Sequence, residues 1–354
     1  MDGLPVDGLP VDVMQRGRVT DVVQVVRRNL GSGVVAILIS ALTFSSSGTF
    51  AKALILTGWS PLATVTIRVG VAALLFLPFT AVALRGRWRH VRSHLPIVGL
   101  YGLFAIGAAQ LGYFGAVVHL DVGIALLIEF LGIVLVVLWV WARTRRTPHA
   151  ATLLGVVLAI AGLALVLDLS GAAPPNVVGV LWALIAAVGM AGHFIIAARP
   201  TPVPAVAFAG LGLLAGTLIL SLIGVLGLVP LTAGHGPVLL GGVEVPAWLA
   251  FAELAVVAAA VPYFFGIIGA RRLGSTLASF IGLSEVLFAL LIAWLLLHEV
   301  PGPMQGVGGL LILGGVIAVK VGDARAALPS GVAQVVDLPA SPGQGDFAPP
   351  QPVA

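Results

Sequence analysis

The sequence predicts an all-α integral membrane protein of ten transmembrane helices arranged as two inverted five-helix repeats. Three observations predict it. There are ten apolar runs of span length, the basic residues fall in alternate connections, and a 153-residue shift superposes the end of one half on the end of the other. Composition sets the class first. Of 354 residues, 59% are hydrophobic and 9% charged, and the mean hydropathy is +1.13. Soluble chains run about 45–50% apolar and about 25% charged, so this chain lacks the charge to cover a water-facing surface.

A lipid span needs about 20 mostly apolar residues as helix, because hydrocarbon offers no partner for a free backbone group. Such runs fall at 33–54, 61–84, 95–118, 122–142, 149–168, 176–198, 205–227, 247–270, 274–297 and 303–321. Breakers separate most of them: Trp59-Ser60-Pro61, Leu95-Pro96, Thr147-Pro148, Pro174-Pro175, Pro200 to Pro204, Pro246 and Pro301-Gly302-Pro303. The shortest cuts are 118–122 and 270–274. A β-barrel is excluded, since nothing alternates with period two over a strand's length. The domain reading is a cytoplasmic tail at 1–32, repeats at 33–168 and 176–321, and a disordered cytoplasmic tail at 322–354. The first apolar run is too long for a cleaved signal peptide. Residues 19–28 read either as a short amphipathic surface helix or as a solvated tail.

Lysine and arginine test this layout independently. Sixteen of the 18 lie before span one, between two and three, after four, six and eight, and after ten. All of those places share one side, and the opposite connections hold none. That is the positive-inside pattern for ten spans with both termini in the cytoplasm; the expected location is a bacterial inner membrane. Bases scattered in this way do not make a nucleic-acid site.

The 153-residue shift pairs Ala125 with Ala278, Ile128 with Ile281, Trp141 with Trp294, Pro148 with Pro301, Gly155 with Gly308 and Gly162 with Gly315. Spans four and five therefore correspond to nine and ten. Five is odd, so the second unit enters the membrane from the opposite side, and the halves are related by a two-fold axis in the membrane plane. Such a pair supports alternating access, one state open to each side. The glycines of spans five and ten read as close packing.

Charge inside a span costs about 2.5–3.5 kcal/mol on insertion scales. Lys52, Arg68, Glu129, Glu253 and Glu285 stand there. Lys52 and Glu253 lie near outer ends, where Lys52 can snorkel as an anchor and Glu253 can be solvated. Arg68 sits two turns deep and reads equally as an ion pair, a carbonyl cap or a functional group. Glu129 and Glu285 carry most weight. In the repeat register Glu129 pairs with Gly282 and Glu285 with Gly132, so the two acids are one helical turn apart on equivalent faces. A carboxyl there binds an ammonium group when ionised or carries a proton when neutral; a buried pair with Lys52 or Arg68 is the structural alternative. Neutral polar groups gather at similar depth: Ser45 to Ser47, Gln110, Tyr113, His193 and Tyr263. Singly, the serines can bond back to their own helix, and His193 can be a packing residue. Together these groups predict a polar cavity lined by spans one, three, four, six, eight and nine.

Much other chemistry is missing from the sequence. With no cysteine there is no disulfide, thiolate metal site or cysteine nucleophile. His298-Glu299 lacks the second histidine of a zinc-protease helix, Ser46 lacks a nucleophile elbow, and no phosphate-binding glycine loop is present. No cofactor, no metal and no enzymatic activity are expected.

Several stretches carry a resemblance: Gly48-Thr49-Phe50-Ala51-Lys52, Ile67-Arg68, Gly123-Ile124-Ala125 through Glu129-Phe130 with Gly132, Val261-Pro262-Tyr263, and Glu285 through His298-Glu299 to Gln305. Over roughly 33–321 the chain resembles the EamA-domain members of the drug/metabolite transporter superfamily, and within them the threonine/homoserine exporter branch. The resemblance implies function at Lys52, Arg68, Glu129, Tyr263 and Glu285. Ile133 and Val286 stand where relatives usually carry proline, which removes the ordinary cause of a helix kink there. The expectation is a secondary transporter in the lipid bilayer that exports a small polar metabolite, an amino acid or related amine, with protons as a coupling partner and a homodimer as a further partner. Glu129, Glu285, Tyr263, Gln110, Tyr113, Ser46, His193, Arg68 and Lys52 are the expected substrate-binding residues. The alternatives are a lipid or lipid-linked-sugar translocase of the same fold and an intramembrane enzyme.

Overall fold

A computed structural model describes residues 30–327 apart from 87, 121, 168–175, 241 and 298–301. The reading of 19–28 and the tail beyond 327 lie outside the described residues, as do Pro174-Pro175 and His298-Glu299. The helices are α1 Leu30–Leu56, α2 Pro61–Ala83, α3 Leu95–Ala116, α4 Val122–Phe130 with Gly132–Thr144, and α5 Ala150–Val166. The second half holds α6 Val177–Ala197, α7 Ala205–Val225, α8 Ala247–Leu273, α9 Ser275–Gly282 with Ser284–Leu297, and α10 Pro303–Ala327. Eight of them are long and apolar enough to cross a membrane. The described parts of α5 and α9 are shorter apolar helices. The chain is thus a helical, multi-pass membrane protein. Helix α10 continues to Ala327, past residue 322, where the tail was expected.

The helix ends follow the breakers. Pro61 opens α2 after Ser60, whose Oγ accepts from Ala63 N at 3.2 Å. Asn176 caps α6 through Val178 N at 2.9 Å and Gly179 N at 3.4 Å. The shortest cut, between α8 and α9, is made by one residue. Gly274 adopts φ +78, a left-handed conformation that costs glycine little, and its N–H returns to Ala270 O at 2.9 Å.

Among the described residues one element is not helical. In the α7–α8 connection, β1 Val238–Leu240 pairs antiparallel with β2 Val243–Val245. The same connection reaches back to the first half: Ser60 N donates to Thr232 O at 3.1 Å and His235 N to Thr57 O at 3.3 Å.

Helices α5 and α10 pack closely together. A Cβ on Gly155 would stand 2.8 Å from Gly315 O, and one on Gly315 would stand 2.8 Å from Gly155 O. Gly162 and Gly308 show the same relation at 2.6 Å in both directions. Under the 153-residue shift Gly155 becomes Gly308 and Gly162 becomes Gly315, so the operation exchanges the two contacts. A two-fold axis running between antiparallel helices does this. Only hydrogen at these four positions permits the approach. Large apolar side chains such as Leu154, Val157, Leu310 and Ile317 lie exposed on the outer faces of this pair, where hydrocarbon solvates them.

Candidate functional site

A cavity of about 290 Å³ lies in the centre of the bundle. It is lined from α1, α3, α4, α6, α8 and α9, the six helices on which the polar residues collect in the sequence. Three of these helices are interrupted beside it. Helix α1 turns at Ser45 and Ser46. Helix α4 breaks at Leu131 and α9 at Leu283, where the N–H groups of these residues reach back only three residues, to Ile128 O and Phe280 O, both at 3.1 Å. The breaks occur without the prolines that relatives carry at 133 and 286. Gly132 and Gly282, weak helix formers, flank them instead, which corrects the expectation that kinks would be lost there.

Seven of the nine predicted residues line the cavity: Lys52, Gln110, Tyr113, Glu129, His193, Tyr263 and Glu285. Glu129 precedes the α4 break by two residues, and Glu285 follows the α9 break by two. Among the described residues neither carboxyl makes a hydrogen bond or an ion pair with protein, so the buried pair with Lys52 or Arg68 is not formed. Tyr113 Oη faces Gly48, where a Cβ would stand 3.3 Å away. His193 Nδ1 shares a 3.1 Å hydrogen bond with Tyr101 Oη, and its ring packs edge-on against Phe194 and Tyr263. Tyr263 is 1% exposed; its hydroxyl donates to Ala105 O at 2.9 Å, leaving its ring as the cavity wall.

Two predicted residues stand elsewhere. Arg68 has no exposed surface and lies behind the wall. Its Nη1 donates to Ser47 Oγ at 2.7 Å and Gln110 Oε1 at 2.9 Å, and its Nη2 donates to Ala258 O. The guanidinium also lies over the Phe44 and Phe114 rings, 5.1 and 5.8 Å from their centroids. Of the readings the sequence allows, it is a carbonyl cap that also fixes two cavity groups. Ser46 is turned away: its hydroxyl donates to Glu253 Oε1 at 2.5 Å, and Ser45 and Ser47 line the cavity in its place. In a helix the side chains at i and i+1 point about 100° apart, so one step along α1 changes the partner.

Sequence reasoning also passed over the apolar walls Phe44, Phe130, Met190 and Phe194. An aromatic residue in a membrane helix gives no signal of which way it faces. The signal that was available is Pro262. It has no N–H for the carbonyl of Ala258, four residues earlier, so that oxygen had to find a donor outside α8.

A helical multi-pass protein whose repeated ends meet across a two-fold axis, with ionisable and amide groups set in an otherwise apolar cavity, has the architecture of a secondary transporter. Residues 31–168 and 177–321 each match the EamA-like transporter family, and the chain belongs to that family. Its members are membrane transporters of the drug/metabolite superfamily rather than enzymes, which implies a small-molecule substrate. No curated protein matches the chain. One solved crystal structure superposes with a TM-score of 0.66 at 19% identity, over 84% of this chain and 99% of its own; at that identity the likeness is one of fold.

Proposed function

We propose that the chain exports a small zwitterion or amine, an amino acid in the first instance, across a bacterial inner membrane by alternating access. In this reading ten helices span the bilayer, both termini are cytoplasmic, and the repeats at 33–168 and 176–321 rock about the shared cavity. The observation that carries it is the pair of unpartnered carboxyls, Glu129 and Glu285, in one cavity with Lys52. A carboxylate receives an ammonium group and a lysine receives a carboxylate, so the lining offers complements to both ends of an amino acid. The volume, about 290 Å³, lies at the lower end of the ~300–1,000 Å³ usual for small-molecule sites and suits a ligand of that size better than a lipid-linked sugar. The stretches resembling the threonine/homoserine exporter branch support the same substrate class.

The chemistry of the cycle follows from the acids. Glu129 takes the substrate ammonium in the state open to the cytoplasm, and a proton replaces it after release on the other side, giving antiport. Gln110, Tyr113, Ser45 and Ser47 orient the bound molecule. The test is uptake of a panel of labelled amino acids into inside-out vesicles, with and without an imposed pH gradient. Wild type is expected to accumulate at least one of them in a gradient-dependent way. Glu129→Gln removes the charge with little change of volume and is expected to lower the initial rate about tenfold or more, the loss expected for a charge-assisted contact. Equal rates in the two proteins would remove Glu129 from the site.

A further inference from the structure

Among the described residues two stretches are wound as π-helix, Gly102–Ala108 in α3 and Val256–Ala260 in α8. The 153-residue register places Ala105 on Ala258, so the two stretches occupy equivalent positions in the two repeats. A π turn disturbs the i to i−4 ladder and is concentrated at functional sites. In α8 the cause is Pro262, which has no N–H to return to Ala258 O. In α3 the N–H of Ala109 reaches Phe104 O and Ile106 O rather than Ala105 O. Each carbonyl is taken by a side chain of the other repeat: Arg68 donates to Ala258 O, and Tyr263 donates to Ala105 O at 2.9 Å. The two bonds cross between the halves, and both donors bear on the cavity. Tyr263 forms part of its wall, while Arg68 holds Ser47 and Gln110, which line it.

We propose that the two π-helical stretches are paired hinges of the transport cycle, and that Arg68 and Tyr263 are positioning residues that latch them across the repeat boundary. A carbonyl without a donor is costly inside a membrane, so each hinge is held while its latch is in place. Losing the latch drives the stretch toward another winding. A ligand that draws the Tyr263 hydroxyl from Ala105 O releases one hinge, and one that draws the Gln110 amide from Arg68 loosens the latch on the other, which couples occupancy to conformation. The proposal rests on the alternating-access reading, and on no particular substrate.

The chain has no cysteine, so Thr49→Cys supplies a unique reporter at an exposed position of the cavity lining. The experiment measures its labelling rate by a membrane-impermeant maleimide in ligand-free proteoliposomes. Tyr263→Phe keeps the ring and removes the donor. Pro262→Ala gives α8 back the N–H that competes with Arg68 for Ala258 O. Loss of one buried hydrogen bond shifts a two-state equilibrium about three- to tenfold, and both variants are expected to change the labelling rate by that factor. Ser279→Ala, which removes a buried hydroxyl bonded within its own helix to Thr276 O, is expected to leave it unchanged. An unchanged rate in either of the first two variants, with the melting temperature retained, overturns the paired-hinge proposal. Because no ligand is present, this outcome is separate from failure of amino-acid transport, and a tyrosine that only orients substrate would leave the rate untouched.

Discussion

The α5–α10 seam and the central cavity are built from the same repeat and treat its symmetry in opposite ways. At the seam the two-fold relation shows in the backbone contacts: Gly155 meets Gly315 as Gly162 meets Gly308, and each contact is reciprocal. In the cavity the register pairs unlike residues, Glu129 with Gly282, Gly132 with Glu285, Gln110 with Tyr263 and Tyr113 with Gly266. The difference follows from what each region contacts. The seam joins the repeat to its own inverted copy, so one sequence solution serves both sides. A cavity that receives an asymmetric small molecule has no reason to repeat its side chains. The two glycines beside the helix breaks also differ in room. A Cβ on Gly132 would stand 2.5 Å from the backbone oxygen of Ala187, whereas one on Gly282 meets only the tip of the Phe194 ring at 3.0 Å.

The comparison can be broken most sharply at the seam. Gly162→Val and Gly315→Val, at equivalent positions of the two repeats, each press a branched side chain into backbone, and overpacking costs about 1–3 kcal/mol or more. Thermal unfolding in detergent is expected to show equal losses for the two. Unequal losses would mean that the two-fold relation is only approximate there. At the helix breaks the expectation is of unequal effects: Gly132→Ala is expected to lower stability by about 1–3 kcal/mol, while Gly282→Ala, which faces a ring able to turn, stays within about 1 kcal/mol of wild type. Equal effects would remove the asymmetry of room. Asn176→Ala strips the cap from α6 and is expected to cost about 1 kcal/mol, visible as faster amide exchange at Val178 and Gly179. The smallest effect sharpens the seam. Gly314 adjoins Gly315 but faces open space, its nearest neighbour being Leu158 Cδ1 at 3.9 Å. Gly314→Ala is therefore expected to be neutral or to gain up to about 1 kcal/mol in helix propensity, in contrast to a loss at Gly315→Ala by the same assay.

How legible the site was depends on the kind of residue. Ionisable and amide groups announce themselves, because hydrocarbon penalises them wherever they point; Glu129, Glu285, Gln110 and Lys52 were found this way and do line the cavity. Hydroxyls do not, because they can bond back to their own helix at no cost. Ser46 shows the consequence, since its neighbours Ser45 and Ser47 line the cavity while it turns to Glu253. Apolar walls such as Phe44 and Met190 are invisible, for lipid and cavity look alike to them. The breaks at Leu131 and Leu283 were missed for another reason: proline was taken as the mark of a kink, whereas glycine and a three-residue hydrogen bond produced one here.

The sequence alone determined that the chain lives in a bilayer, that it is built of repeated halves, and where its chemistry-bearing groups are. Those properties are summed along one dimension, through hydropathy, charge alternation and a fixed register. Only the tertiary structure decided which carbonyl Arg68 caps, which serine faces inward, and that Tyr263 and Arg68 cross to the opposite repeat. Those are distances between residues far apart in the chain, and they depend on how closely glycine-lined backbones approach, which no single helix specifies.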